Sequence, residues 1–562
     1  MEMQSEHYTL RHIDKRSPRT QDAQCLRCFS VPDTQALHEF VRSYFLHVHP
    51  GFPVLDEAAF WGSYTQSHFG FSKVSLFVLQ ALLFASSPYV SLTTLHACGF
   101  RTKPEARNTF YKRAKCMFDL NAATRPLAQG QGAALLSNHA SAVEPHAGTD
   151  WLSRAIESAL TINASPGPRQ EEVAPILKKR LWWSVVLRDR CLCLALHRRT
   201  EMPVINTGLG IDTMDEEDFA DEIMNSYVYE AHTKRALVKV LKEQYELALA
   251  LSDMMPLVYA SHGFRTPSLS RAAFEETLVK VRRIEATLDQ WMSPTQFPGL
   301  ISPNTHGSVP VFINLVYMYY YAARINLMQF ELLTIEKHPE YTPDYSQQLT
   351  RAGSSLSESM HRLTGVMEFL SYRGRNHSLP LTILGCLPMP FLTTAIDIRL
   401  SSSSEMTSQK SPLHILGQFL QFLRSLEQVY EAAHALLSQI ETPSEGPLPA
   451  SAPTKNWKDF FLQSPRAYLL ISTTVAYSLS IGHLPHDDAL PDMLTSVFPG
   501  SLKIRFPWNV NPIQPTIYKI PVRRSRIPRH SYKMAKRLEA LHSPAPPEDQ
   551  VNLDYLDLNA AH

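Results

Sequence analysis

Seven cysteines in 562 residues are too few to staple a secreted, disulfide-built fold. Cys98, Cys116, Cys191, Cys193 and Cys386 stand in apolar or helical contexts, where a thiol behaves as a small buried hydrophobe. A reducing compartment, cytosol or nucleus, is expected. Long apolar runs are missing too. The most apolar stretch, VFINLVYMYYYAA, covers only 311–323 and contains Asn314, whereas a bilayer needs about twenty residues. It predicts a buried helix rather than a membrane span. The N-terminal MEMQSEHYTLRHIDKRS has no apolar core behind its charges and does not read as a secretory signal. Neither charge sign dominates: 54 Lys and Arg stand against 53 Asp and Glu, a net charge of +1. Any attraction to nucleic acid must come from a local patch.

The signatures of common catalysts are also missing. No G-x-S-x-G elbow, phosphate-binding G-x-x-x-x-G-K-[ST] loop, strand-linked G-x-G-x-x-G or H-E-x-x-H occurs. GHLPHDD (482–488) gathers His483, His486, Asp487 and Asp488, but Pro485 keeps the two histidines from sharing a helical face. The acidic IDTMDEEDFADE (211–222) lacks the ligand spacing of a calcium loop and is expected to be a solvated connector. His47 and His49 end a helix before Pro50, with partly exposed imidazoles expected. No catalytic, cofactor or metal residues are predicted.

Helical periodicity is what the chain has in quantity. In 411–440, Ser411 can cap and Pro412 can occupy the first turn. Leu413, Leu416, Leu420, Leu423, Tyr430, Ala433, Leu437 and Ile440 then form one stripe. The segment 268–294 repeats the plan with Phe274, Leu278, Val281, Leu288 and Trp291, and stops at Ser293-Pro294. Similar patterns lie near 35–47, 73–87, 103–120, 150–162, 171–198, 230–254, 345–371 and 455–480. Strand alternation is nearly absent. The expectation is an all-α protein: a basic N-terminal arm (1–32), one helical domain (33–481) and an irregular C-terminal tail (482–562).

The centre of the chain, LKKRLWWSVVLRDRCLCLALHRR, sets charged residues within an apolar helix. Trp182 and Trp183 project about 100° apart, so one is expected in the core and the other against a neighbouring helix. Asp189 in such surroundings needs a partner, and an arginine is the natural one. Taken together, Arg180, Leu181, Trp182, Trp183, Ser184, Asp189 and Arg190 resemble the central motif of the fungal-specific transcription factor domain. That domain is the middle homology region of fungal binuclear zinc-cluster regulators. LHEFVRSYFLHVHPGFPVLDEAAFW (37–61), LFVLQALLFASSPYV (76–90) and YKRAKCMFDL (111–120) resemble its other helices in the same order, so the likeness covers about 33–400.

The resemblance implies an all-α regulatory domain of a nuclear transcription factor, with no catalytic residues. It also implies control of a metabolic or secondary-metabolite gene set. Other transcription factors or coactivators would be the partners, with DNA met only indirectly or non-specifically, and no membrane. Alternative readings are a helical domain that senses a small-molecule effector, or an enzyme on a helical scaffold. The family's zinc cluster takes six cysteines. Here Cys25-x-x-Cys28 is followed by no third cysteine until Cys98, and two thiolates cannot close a tetrahedral site. No zinc site is therefore expected in this chain.

Two tail segments carry further expectations. Arg523, Arg524, Arg526, Arg529, Lys533, Lys536 and Arg537 crowd into 519–537 without an acid among them, a pattern of nuclear import or of a nucleic-acid patch. In the last fifteen residues Leu553, Tyr555, Leu556 and Leu558 interleave with Asp554 and Asp557, the composition of an activation segment.

Overall fold

Several helices in this protein begin where the sequence supplies a capping oxygen or a proline that suits the first turn. The computed structural model describes residues 28–66, 74–120, 125–140, 147–164, 175–202, 213–259, 268–292, 297–301, 305–372, 379–400, 412–427, 456–481 and 489–495. Among them are eighteen α-helices and no strand, so the all-α expectation holds.

The first core is built from α1 (Thr34–His47), α2 (Glu57–Gln66), α3 (Leu76–Ser86), α4 (Leu92–Ala97), α5 (Lys103–Asp119), α6 (Pro126–Leu136) and α7 (Ala147–Thr161). The side chain of Asp33 caps α1 by accepting from Ala36 N at 2.9 Å, and Thr102 caps α5 through Glu105 N. Every residue of α3 from Phe77 to Ser86 is buried. A helix apolar on all sides belongs at the centre of a bundle, and α1, α5 and α6 pack around this one. Gly132 lets α6 come this close, because a Cβ there would stand 2.2 Å from Phe77 Cε1.

Two helices serve both halves of the structure: α8 (Pro175–Leu196) and, beyond the short α9 (Ala220–Asn225), α10 (Ala231–Val258). On α10, Val238, Leu241, Tyr245 and Ala248 recur at spacings of three and four and enter the first core. Leu237, Val240, Leu247, Leu251 and Met254 lie on another face and enter the second.

That second core continues through α11 (Arg271–Trp291), α12 (Ser308–Lys337), α13 (Tyr345–Tyr372), α14 (Pro388–Leu400) and α15 (Pro412–Glu427). It closes with α16 (Trp457–Gln463), α17 (Pro465–Ile481) and α18 (Asp492–Thr495). The apolar run 311–323 lies inside α12, where the amide of Asn314 donates to the Pro310 carbonyl at 2.8 Å. No described helix is long and apolar enough to cross a membrane.

The periodicity over 455–480 is divided between two helices rather than one. Pro465 has no N–H to continue α16 and disfavours helical backbone at Ser464, which sits at φ −140°, ψ 63°. Ser411 and residues 428–440 of the expected 411–440 helix lie outside the described residues.

Candidate functional site

Charged residues inside a helix with no exposed face must find partners or destabilise the fold. From Arg180 to Arg190 every residue of α8 is buried, and this stretch holds the R-L-W-W-S motif and its trailing D-R. Trp183 is fully buried and Trp182 is 5 % exposed, so both tryptophans are core, not one of the two.

Arg180 meets four residues from outside its own helix. Its Nη1 donates to the Leu55 carbonyl at 2.9 Å and pairs with Glu222 Oε1. Its Nη2 donates to the Asp218 carbonyl at 3.1 Å, and its plane lies over the Phe219 ring, 4.4 Å from the centroid. Glu222, on α9, also accepts the backbone N–H of Glu57 at 2.8 Å, His49 Nε2 at 2.8 Å and Lys234 Nζ at 2.8 Å. Lys234, from the first turns of α10, also pairs with Glu57 Oε2 at 2.6 Å. Ser226 Oγ and the Tyr227 N–H then complete the coordination of Glu57 Oε1. Two carboxylates, a guanidinium and a lysine amine thus share one buried site, with an imidazole at its edge.

Burial opposes the charge of Glu222, but the hydrogen bond from His49 and the charges of Lys234 and Arg180 outweigh it and hold its carboxyl well below the ordinary range. Burial also pushes the His49 imidazole below its usual value, despite the attraction of Glu222. His49 is therefore neutral near pH 7, with Nε2–H donating to the carboxylate. Ligand atoms of His49, Glu57 and Glu222 lie within 4.8 Å of one another, a spacing that could hold a metal ion. The ammonium of Lys234 already sits against both carboxylates, and its charge repels a divalent cation. The arrangement is an ion-pair cluster that joins α2, α8, α9, α10 and the turn at His49.

The far end of the motif is tied down in the same way. Arg190 Nη1 pairs with Asp189 Oδ2 at 2.6 Å, the arginine partner expected for this aspartate. Asp189 Oδ1 and Oδ2 also accept the backbone N–H groups of Glu201 and Met202, at 3.0 and 3.4 Å. Arg190 Nη2 reaches Ser252 Oγ on α10 at 3.3 Å. The D-R pair thus fixes the chain leaving α8 and fastens α8 to α10.

Two sequence expectations are corrected here. His49 is not a partly exposed helix end: it is 1 % exposed, because the turn at His49–Gly51 folds its ring against Glu222. The acidic stretch 211–222 is not simply a solvated connector, since Glu222 is fully buried. Glu57, Glu222 and Lys234 went unnoticed in the sequence. A signal existed for one of them: Phe219 and Ile223 are both buried at i and i+4, and position 222 falls on the same side of the helix between them. The candidates Arg523, Arg524, Arg526, Arg529, Lys533, Lys536 and Arg537, the tail residues Leu553, Tyr555, Leu556 and Leu558, and the GHLPHDD segment lie outside the described residues, as does Cys25.

Comparison with known proteins gives the cluster a context. The chain is 28% identical over 238 residues to cutinase transcription factor 1 beta of Fusarium vanettenii, covering 42% of this chain and 27% of that protein. It is 26% identical over 246 residues to the fusaric acid cluster transcription factor FUB12 of Gibberella moniliformis, covering 43% and 35%. It is 26% identical over 209 residues to transcription factor cpaR of Aspergillus oryzae, covering 36% and 34%. The matches thus span about a quarter to a third of these relatives. No family model matches the chain, and no solved structure does. The relatives are transcription factors rather than enzymes. Over about two fifths of its length, then, the chain is similar to fungal transcription factors.

Proposed function

We propose that this chain is a nuclear transcriptional regulator that acts through its helical domain on a metabolic or secondary-metabolite gene set. The likeness to three fungal regulators, one of them named for a fusaric acid cluster, carries the reading. The buried ion pairs of Arg180 and Asp189 support it as the framework that holds the domain in one shape, so that its surfaces can be recognised. Other transcription factors or coactivators are the expected partners. The alternating Asp and Leu of 548–562 suit a segment whose apolar groups stay solvated until a coactivator groove buries them.

Tethering the whole chain to a heterologous DNA-binding domain is expected to change reporter transcription several-fold. Alanine at Leu556 and Leu558 should reduce an activating effect. A reporter unaffected in either direction by the whole chain would reject the regulatory reading.

Entry into the nucleus is assigned to the basic run at 519–537. Alanine at Arg523, Arg524, Arg526 and Arg529 should move a fluorescent fusion to the cytoplasm. Unchanged nuclear accumulation would remove that role from the run.

A further inference from the structure

We infer that Cys28 and Cys116 are a redox-responsive pair, which a hydroperoxide converts to a disulfide joining α5 to the segment that leads into α1. The two sulfurs lie 3.2 Å apart, although 88 positions separate them in sequence. A bonded pair is only roughly 1.2 Å closer. The approach is held from both sides. Gln80 on α3 donates through Nε2 to the carbonyls of Cys28 and Ser30, at 3.0 and 2.9 Å. Arg113, one turn before Cys116 on α5, donates to the Ser30 carbonyl at 3.2 Å. The backbone of 28–30 is thus fastened to α3 and α5, with the Cys28 sulfur aimed at Cys116.

Access divides the labour between the two thiols. Cys28 is 1 % exposed, while Cys116 is half-buried and can meet a small oxidant. The Cys116 thiolate attacks one peroxide oxygen; an S–O bond forms, the O–O bond breaks, and the departing hydroxide leaves as water after protonation. Cys28 then attacks the sulfenic sulfur of Cys116. An S–S bond forms, the S–O bond breaks, and the released hydroxide takes the Cys28 proton. Two thiols and one hydrogen peroxide become one disulfide and two waters, and a dithiol reverses the change. The remaining described thiols compete poorly. Burial pushes Cys191 up to about 11 and raises Cys193 and Cys386 as well, so few thiolates form there. Cys98 is also raised by burial.

The test uses the full reduced chain treated with hydrogen peroxide and digested with trypsin without reductant. Cleavage after Arg27 and Lys115 separates Cys25, Cys28 and Cys116 onto different peptides. The expected product links the peptide that begins at Cys28 to the one that begins at Cys116, two hydrogens lighter than the separate thiols. Dithiothreitol should restore both. The Cys28→Ser chain should instead accumulate a Cys116 sulfenic acid that dimedone traps, and Cys98→Ser should leave the link unchanged. Three outcomes would each overturn the proposal: Cys116 joined to Cys25 or Cys98, Cys116 carried to sulfinic acid while Cys28 remains a thiol, or no link after oxidation.

Discussion

Glu222→Ala is expected to destabilise the chain by about 3–5 kcal/mol, the range for removing one partner of a buried ion pair. The carboxylate it removes is the shared acceptor for Arg180, Lys234, His49 and the Glu57 N–H. Without it, Arg180 keeps two carbonyl acceptors but no counter-charge. Lys234 keeps Glu57 alone. The penalty is therefore the desolvation of a cation left buried, which is larger than the net worth of the pair. Glu222→Gln retains the shape and one acceptor oxygen, and should fall between wild type and alanine. Urea unfolding followed by circular dichroism measures the difference. A loss below 1 kcal/mol in the alanine variant would show that the cluster is not a support of the fold.

The same cluster sets a pH dependence whose sign follows from the two shifts. The folded His49 stays neutral because its affinity for protons is depressed, whereas an unfolded imidazole takes a proton near pH 6.5. Protons then favour the unfolded chain, so stability falls as pH drops below about 6.5. Glu222 adds a second, more acid loss. Its folded carboxyl is held low, so its contribution is full above the unfolded carboxylate value near 4.3 and disappears as pH falls through the folded one. The Glu222→Ala chain should lack that acid branch.

Trp183→Ala should be comparably severe, about 3–5 kcal/mol, from lost apolar burial plus the cavity left behind. The indole is fully buried, with its ring 5.4 Å from that of Tyr245 on α10. Trp183 therefore packs α8 against α10, the helix whose faces serve both cores. The surroundings cannot collapse easily into the gap, because Arg180 and Arg190 on the same helix are fixed by their own partners. Trp183→Phe should lose less, since much of the ring volume remains. Comparison of urea midpoints, with unfolding slopes checked for constancy, gives the measurement. An alanine variant within 1 kcal/mol of wild type would mean that the site relaxes around the cavity.

Local physics made the helices legible. The spacing of Phe274, Val281, Leu288 and Trp291 places one buried stripe on α11, and its ends are off by only three residues from 268–294. The apolar run around Asn314 is a buried helix, as its length required. The motif itself was readable because an aspartate and three arginines in an apolar helix have no solvent to turn to. Asp189 did find an arginine. The break at Ser464-Pro465 was legible as well, in the restriction a proline places on its predecessor, but period alone ran across it.

Sequence by itself determined the helical class, most helix positions and the need for partners along α8, because periodicity, capping and charge burial act between near neighbours. Tertiary structure alone decided who those partners are. His49, Leu55, Glu57, Asp218, Glu222 and Lys234 come from segments that share no local pattern with Arg180, and a charge carries no mark in the sequence of which opposite charge will neutralise it. It also decided that His49 is buried rather than exposed, and that Cys28 faces Cys116, 88 positions away. Whether a polar group sees water depends on what packs over it, and that is settled only when helices distant in sequence close around a common core.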